Sequence, residues 1–129
     1  MDPAADRLGQ PFTAATARDH VRRLLRTRAA PPSSTVVDDA LLVVTELVTN
    51  AVRHGGGLTG FDARLAGDAL TVSVSDASPA LPHTVPRDDP AAPGGFGWPL
   101  VNRLSRQVTV TPRAGGKTVS VVLCAGLRG

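Results

Sequence analysis

The stretch from Leu41 to Val52 restricts the fold more than any other, because Leu41, Leu42, Val43, Val44, Leu47, Val48, Ala51 and Val52 leave a helix there no wholly polar side. A helix that is apolar almost all round does not lie on a surface. It needs a sheet against one side and another helix against the other, which points to a layered α/β arrangement. Two polar residues interrupt the run: Glu46 and Asn50, four apart, with His54 following at the same interval. At about 100° per residue these three fall within a wedge of roughly 80° and present a carboxylate, an amide and an imidazole in one row. Polar side chains where a core helix should be apolar mark a site.

The chain has 129 residues, enough for one substantial core and too few for two ordinary domains. Aromatic residues make up only 3%, so the core has to be built from Val, Leu and Ala. No apolar run reaches membrane-spanning length, and Met1-Asp2-Pro3 lacks a basic and then apolar leader, so a cytoplasmic location without membrane contact is expected. Cys124 is the only cysteine, which excludes an internal disulfide and a cysteine metal cluster; within Val-Val-Leu-Cys it reads as core. The net charge is +3 and the pI about 10.4. Arg18, Arg22, Arg23, Arg26 and Arg28 nevertheless stand at helical spacing with no aromatic neighbours for base stacking. They read as a solvated helix face, with an acidic protein partner as a second use and no direct nucleic-acid contact. His20 and His83 lack partners at zinc-ligand spacing and are expected to face solvent.

Along the chain, residues 1–12 carry few order signals and at most a brief edge strand from Leu8 to Phe12. Thr13 can cap a helix that ends near Arg28, ahead of Pro31-Pro32, and Ser33-Ser34-Thr35 caps a longer one to about His54, where Gly55-Gly56-Gly57 stops it. Those glycines also let the backbone approach a ligand beside the polar row. Leu58 to Ala66 and Ala69 to Asp76 flank Gly67-Asp68 as a hairpin, the second strand alternating Leu70, Val72 and Val74 with Thr71, Ser73 and Ser75. From Ala77 to Phe96, prolines at 79, 82, 86, 90 and 93 exclude helix and sheet. A loop of that length inside a compact domain reads as a functional lid, at about 77–97. A short helix through Pro99, Leu100, Val101 and Leu104 follows, with Trp98 packing it. Gln107 to Pro112 and Lys117 to Cys124 then form a second hairpin around Ala114-Gly115-Gly116. The predicted fold is a two-layer α/β sandwich: a mixed, mostly antiparallel sheet covered on one face by helices, within a single domain over 13–125.

Glu46-Leu-Val-Thr-Asn50-Ala-Val-Arg-His54 resembles the N-box of the GHKL (Bergerat-fold) ATPases, Asp76-Ala-Ser78-Pro-Ala their G1 box, Gly95-Phe96-Gly97-Trp98 their G2 box, and Gly116-Lys-Thr118 their closing strand motif. Four boxes in order, over residues 13 to 125, look most like the small anti-sigma-factor serine/threonine kinases and their stand-alone ATP-binding relatives. Three departures stand out. Ser78 takes a place commonly held by glycine, Trp98-Pro99 follows the second box, and the family's first strand is short or missing before Thr13. No third glycine makes a Rossmann fingerprint, and Gly116-Lys117-Thr118 opens a strand and not a P-loop helix.

The resemblance implies ATP and Mg²⁺ as ligands, with an ATP lid. Asn50 is expected to offer Mg²⁺ a neutral amide oxygen where triphosphate already supplies negative charge. Glu46 is expected to orient or deprotonate an attacking hydroxyl. Asp76 would accept from the adenine amino group, with Thr118 supporting the same contact through water, and Ser78 would allow close approach of the backbone. Gly95, Phe96 and Gly97 would cradle phosphate at the lid helix, and Arg53 and His54 either reach phosphate or the lid or simply lie on the surface. The implied function is a serine/threonine protein kinase that phosphorylates a STAS-type anti-sigma-factor antagonist and controls transcription through a sigma factor. The alternative is a non-catalytic, ATP-dependent protein-binding module, and homodimerisation is open under either.

Overall fold

The computed structural model describes residues 12–28, 30, 32–79 and 97–125. Helix α1 (Ala14–Leu25) starts where Thr13 accepts a hydrogen bond from the Thr16 N–H at 3.2 Å, and it turns Ala17, Val21 and Leu25 inward. It stops one turn short of the expected end, because the N–H groups of Thr27 and Arg28 bond to the Leu24 and Leu25 carbonyls in a tightened last turn. Helix α2 (Ser34–Arg53) is capped by the Ser33 hydroxyl, which accepts from the Val36 N–H at 3.2 Å. It runs to a C-cap at His54.

Strands β1 (Leu58–Ala66) and β2 (Ala69–Asp76) have the bounds that alternation predicts; helix α3 (Gly97–Leu104) precedes the second hairpin, β3 (Gln107–Arg113) and β4 (Gly116–Cys124). The strand order is β1-β2-β4-β3 and every pairing is antiparallel. The two hairpins therefore join through their inner strands, β2 and β4. Register sets Leu70 opposite Leu123, Val72 opposite Val121 and Val74 opposite Val119, so that one sheet face is continuously apolar. Phe61, Ala63 and Leu65 extend that face on β1, and Val108 and Val110 extend it on β3.

The helices cover the apolar face, with α2 central: it packs on α1, on α3 and on β1, β2 and β4, while α1 packs also on β1. That explains its unusual composition, since Val43, Val44 and Val48 are almost completely buried. Full burial of such a side chain is worth about 1.5–3 kcal/mol each, which is why the chain keeps apolar residues on nearly every side of this one helix. Among the described residues, Leu42 and Val52 are the large hydrophobic residues left exposed. The opposite sheet face is polar: Ser73 and Ser120 share a 2.8 Å hydrogen bond, and Ser75 and Thr118 one of 2.7 Å. The result is the predicted two-layer α/β sandwich.

Three readings change. His20 is half-buried, edge-on to Phe61 with ring centroids 5.9 Å apart, because its turn of α1 faces β1. Cys124 is half-buried and not core, since alternation gives the inward places on β4 to Val121 and Leu123. The arginines of α1 are not a uniform solvated face: Arg18 donates to Thr45 Oγ1 on α2 at 3.2 Å, Arg22 pairs with Asp19, and Arg28 donates to the Gly67 carbonyl. Arg23 and Arg26 are exposed. The possible strand from Leu8, His83 and most of the expected lid lie outside the described residues. Among the described residues no helix is long and apolar enough to cross a membrane.

Candidate functional site

The polar row of α2 survives as a pair. Glu46 is only 8% exposed, and its Oε2 has no hydrogen-bond partner among the described residues. Burial raises its carboxyl above the ordinary value of 4.5, because losing water disfavours the charged form. Asn50 lies half-buried one turn on. His54 leaves the row: the helix ends before it, and at φ −120° it is exposed, as is Arg53.

Facing the pair is Gly97, the first residue of α3. A β-carbon there would stand 3.0 Å from Glu46 Oε2 and 3.5 Å from Asn50 Oδ1, so any side chain at the helix start would crowd the Glu46 carboxyl. The N-terminal end of α3, where a helix dipole is positive, thus stands beside a buried carboxyl and an amide. Gly95 and Phe96, immediately before it, lie outside the described residues.

A second cluster forms where β2 ends. Asp76 is 7% exposed and held from three sides. Its Oδ1 accepts from the Ser78 N–H at 3.0 Å, an Asx turn that fixes the carboxylate at the strand end. The Lys117 ammonium lies 2.9 Å from Oδ2 and 3.1 Å from Oδ1, and donates also to the Ser78 carbonyl at 3.1 Å. Gly55, just past α2, closes the third side: a β-carbon there would stand 2.5 Å from Asp76 Oδ2. The Ala77 N–H ties the strand end to the Gly55 and Gly57 carbonyls at 2.9 and 3.2 Å. The last turn of α2 therefore connects the Glu46–Asn50 pair to the Asp76 cluster.

Thr118 is not in this cluster. Register pairs Asp76 with Lys117 and Ser75 with Thr118, so alternation turns Lys117 toward the helices and Thr118 to the polar face. There Thr118 bonds to Ser75 and accepts from Arg113 Nε at 2.6 Å. Lys117 occupies the place expected of Thr118, and the sequence reading passed over it. The signal was present: Val119, Val121 and Leu123 are the inward residues of β4, and counting back by two reaches 117.

Chemically, one cluster offers a buried carboxylate, a neutral amide oxygen and a helix start, suited to phosphate and a cation. The other offers a fixed acceptor beside a donor, suited to a heterocycle edge. Among the described residues no group of three or more His, Cys, Asp or Glu gathers to hold a metal unaided, so a cation at Asn50 would have to share its ligands with a bound anion.

A sequence profile of the histidine kinase-like ATPase domain matches residues 9–123. No curated protein sequence matches the chain. Among solved structures, the histidine kinase domain of the blue-light activated histidine kinase EL346 from Erythrobacter litoralis is similar at 18% identity and a TM-score of 0.53, covering 95% of this chain and 79% of that one. The mycobacterial sensor histidine kinase MprB is similar at 17% identity and 0.52, covering 90% and 97%. The Acinetobacter baumannii histidine kinase AdeS gives 18% identity and 0.48 over 70% of this chain, which spans only 47% of that chain's length. At these identities the first two support the fold alone, while the profile spans nearly the whole sequence: the chain belongs to the histidine kinase-like ATPase domain family, within the GHKL superfamily.

Proposed function

We propose that this domain binds ATP with Mg²⁺ and transfers the γ-phosphoryl group to a serine or threonine of a small protein, a STAS-type anti-sigma-factor antagonist, and thereby controls transcription through a sigma factor. One observation carries the catalytic reading. Glu46 is a buried carboxylate whose Oε2 has no hydrogen-bond partner among the described residues, at the start of the helix that meets it. Such a group is costly to bury without use. Its raised affinity for a proton suits it to take one from an attacking hydroxyl.

In this reading the hydroxyl oxygen bonds to the γ-phosphorus as the β–γ bridging oxygen leaves with ADP, and the hydroxyl proton passes to Glu46. Asn50 Oδ1 would ligate Mg²⁺, which supplies positive charge to the phosphate oxygens. The N–H groups at the start of α3 would hold phosphate, Gly97 keeping that start close to Glu46 and Asn50. Asp76, fixed by Ser78, would accept from the adenine amino group. Exposed Arg23 on α1 and Arg26 at its C-cap suit an acidic partner surface.

Calorimetric titration with ATP, with and without Mg²⁺, followed by transfer of labelled γ-phosphate to a STAS-type protein, tests this. Glu46→Gln should retain binding and lose transfer by at least about 100-fold, the usual reach of a general base; Asn50→Ala should lose Mg²⁺-dependent binding. Undiminished transfer by Glu46→Gln would remove the catalytic role. Tight ATP binding with no transfer by the wild type would make the domain a nucleotide-dependent binding module.

A further inference from the structure

The Asp76–Lys117 pair is unexplained by the roles assigned so far. An adenine-binding aspartate needs an acceptor only, yet a second charged residue stands beside it, 6% exposed, its ammonium donating to Asp76 Oδ1 and the Ser78 carbonyl and lying 2.9 Å from Asp76 Oδ2. Burying a lysine is costly unless every donor is used, and a smaller or apolar residue would fill the inward place between strands more cheaply. Its position is also strictly fixed. Lys117 is the direct cross-strand partner of Asp76, and Gly116 before it has no side chain because a β-carbon there would run into the Asp76 carbonyl.

The arrangement places a donor and an acceptor side by side, 2.9 Å apart, at the closed end of the cluster. Adenine presents the complementary pair on one edge: the 6-amino group, a donor, next to ring nitrogen N1, an acceptor. We propose that Lys117 is a base-reading residue, donating to adenine N1 while Asp76 accepts from the 6-amino group. This rests on the ATP-binding reading above and deepens it. When the base enters, one Lys117 N–H leaves its resting acceptor for N1. The bond exchanged is charge-assisted on both sides, so the ammonium is never left without a partner. A purine without an acceptor at position 1 would break a resting bond and gain nothing for it. Discrimination follows from that unpaired buried donor.

The test compares ATP with 1-deaza-ATP, in which N1 is replaced by C–H, and with GTP, by calorimetric titration of the whole chain in Mg²⁺. Wild type should bind ATP about tenfold or more tightly than 1-deaza-ATP, the scale of one hydrogen bond to a charged group, and GTP more weakly than ATP. Lys117→Met should weaken ATP and bring the ATP to 1-deaza-ATP ratio near one, and Lys117→Gln, which keeps a neutral donor, should retain part of the ratio. Far-UV circular dichroism reports whether each variant folds, and the wild-type comparison needs no variant at all. Equal binding of ATP and 1-deaza-ATP by wild type overturns the proposal while leaving ATP binding intact. Tighter binding of both by Lys117→Met also overturns it, since the lysine would then merely obstruct the pocket. A GTP preference overturns it by reassigning the donor to a carbonyl oxygen, and absence of binding to all three overturns the ATP reading itself.

Discussion

Glu46 makes a prediction of its own about pH. Its folded-state carboxyl holds a proton more tightly than the ordinary value of 4.5, so the stability it allows is fully present below about 4.5 and is lost as pH rises through the folded value. Glu46→Gln, which cannot ionise, should therefore melt higher than wild type at pH 8 and converge with it toward pH 4; thermal melts across that range check it, and a pH-independent gap would contradict it. Gly55 gives the opposite kind of test. Gly55→Ala puts a methyl group against Asp76 Oδ2, so adenine nucleotide affinity should fall even if the helices remain intact, as titration beside a circular dichroism spectrum would show. How legible these residues were depended on what surrounds them. Glu46 and Asn50 were conspicuous because polar residues in an apolar helix stand out at helical period. Lys117 was passed over because its meaning comes from a cross-strand partner 41 positions away, and no local pattern near Gly116-Lys117-Thr118 names that partner.

At the level of elements, the hairpins were the most readable part, since alternation and a glycine turn define a strand without reference to the rest of the chain. The end of α1 was less so: which turn tightens into a shorter bond pattern depends on carbonyls competing within about one residue of each other. Caps should carry measurable weight. Ser33→Ala removes the acceptor for the Val36 N–H and should cost about 1 kcal/mol, read from chemical denaturation. Leu70, fully buried on β2 under the helices, should cost about 2–5 kcal/mol as Leu70→Ala. A Leu70→Ala loss well below about 2 kcal/mol would contradict its place in the core beneath the helices.

Across the molecule, stability is concentrated where the hairpins meet. The pairing of β2 with β4 carries the core rows and the buried Asp76–Lys117 pair, whereas the ion pairs Arg22–Asp19, Arg64–Asp62 and Arg106–Asp68 are all well exposed and should be worth little each. Amide hydrogen exchange should accordingly be slowest at Val72 and Val121 and faster along the outer strands β1 and β3; uniform protection across the sheet would contradict that ranking. The seam has a consequence for biosynthesis. A nascent chain that has emerged only as far as Leu104 already contains Glu46, Asn50, Asp76 and Gly97, yet it lacks the strand that supplies Lys117 and the neighbour against which β2 aligns. Lys117 joins Asp76 only once β4 has been made and has paired with β2. A ligand touching both residues would then act as a clasp between the two hairpins.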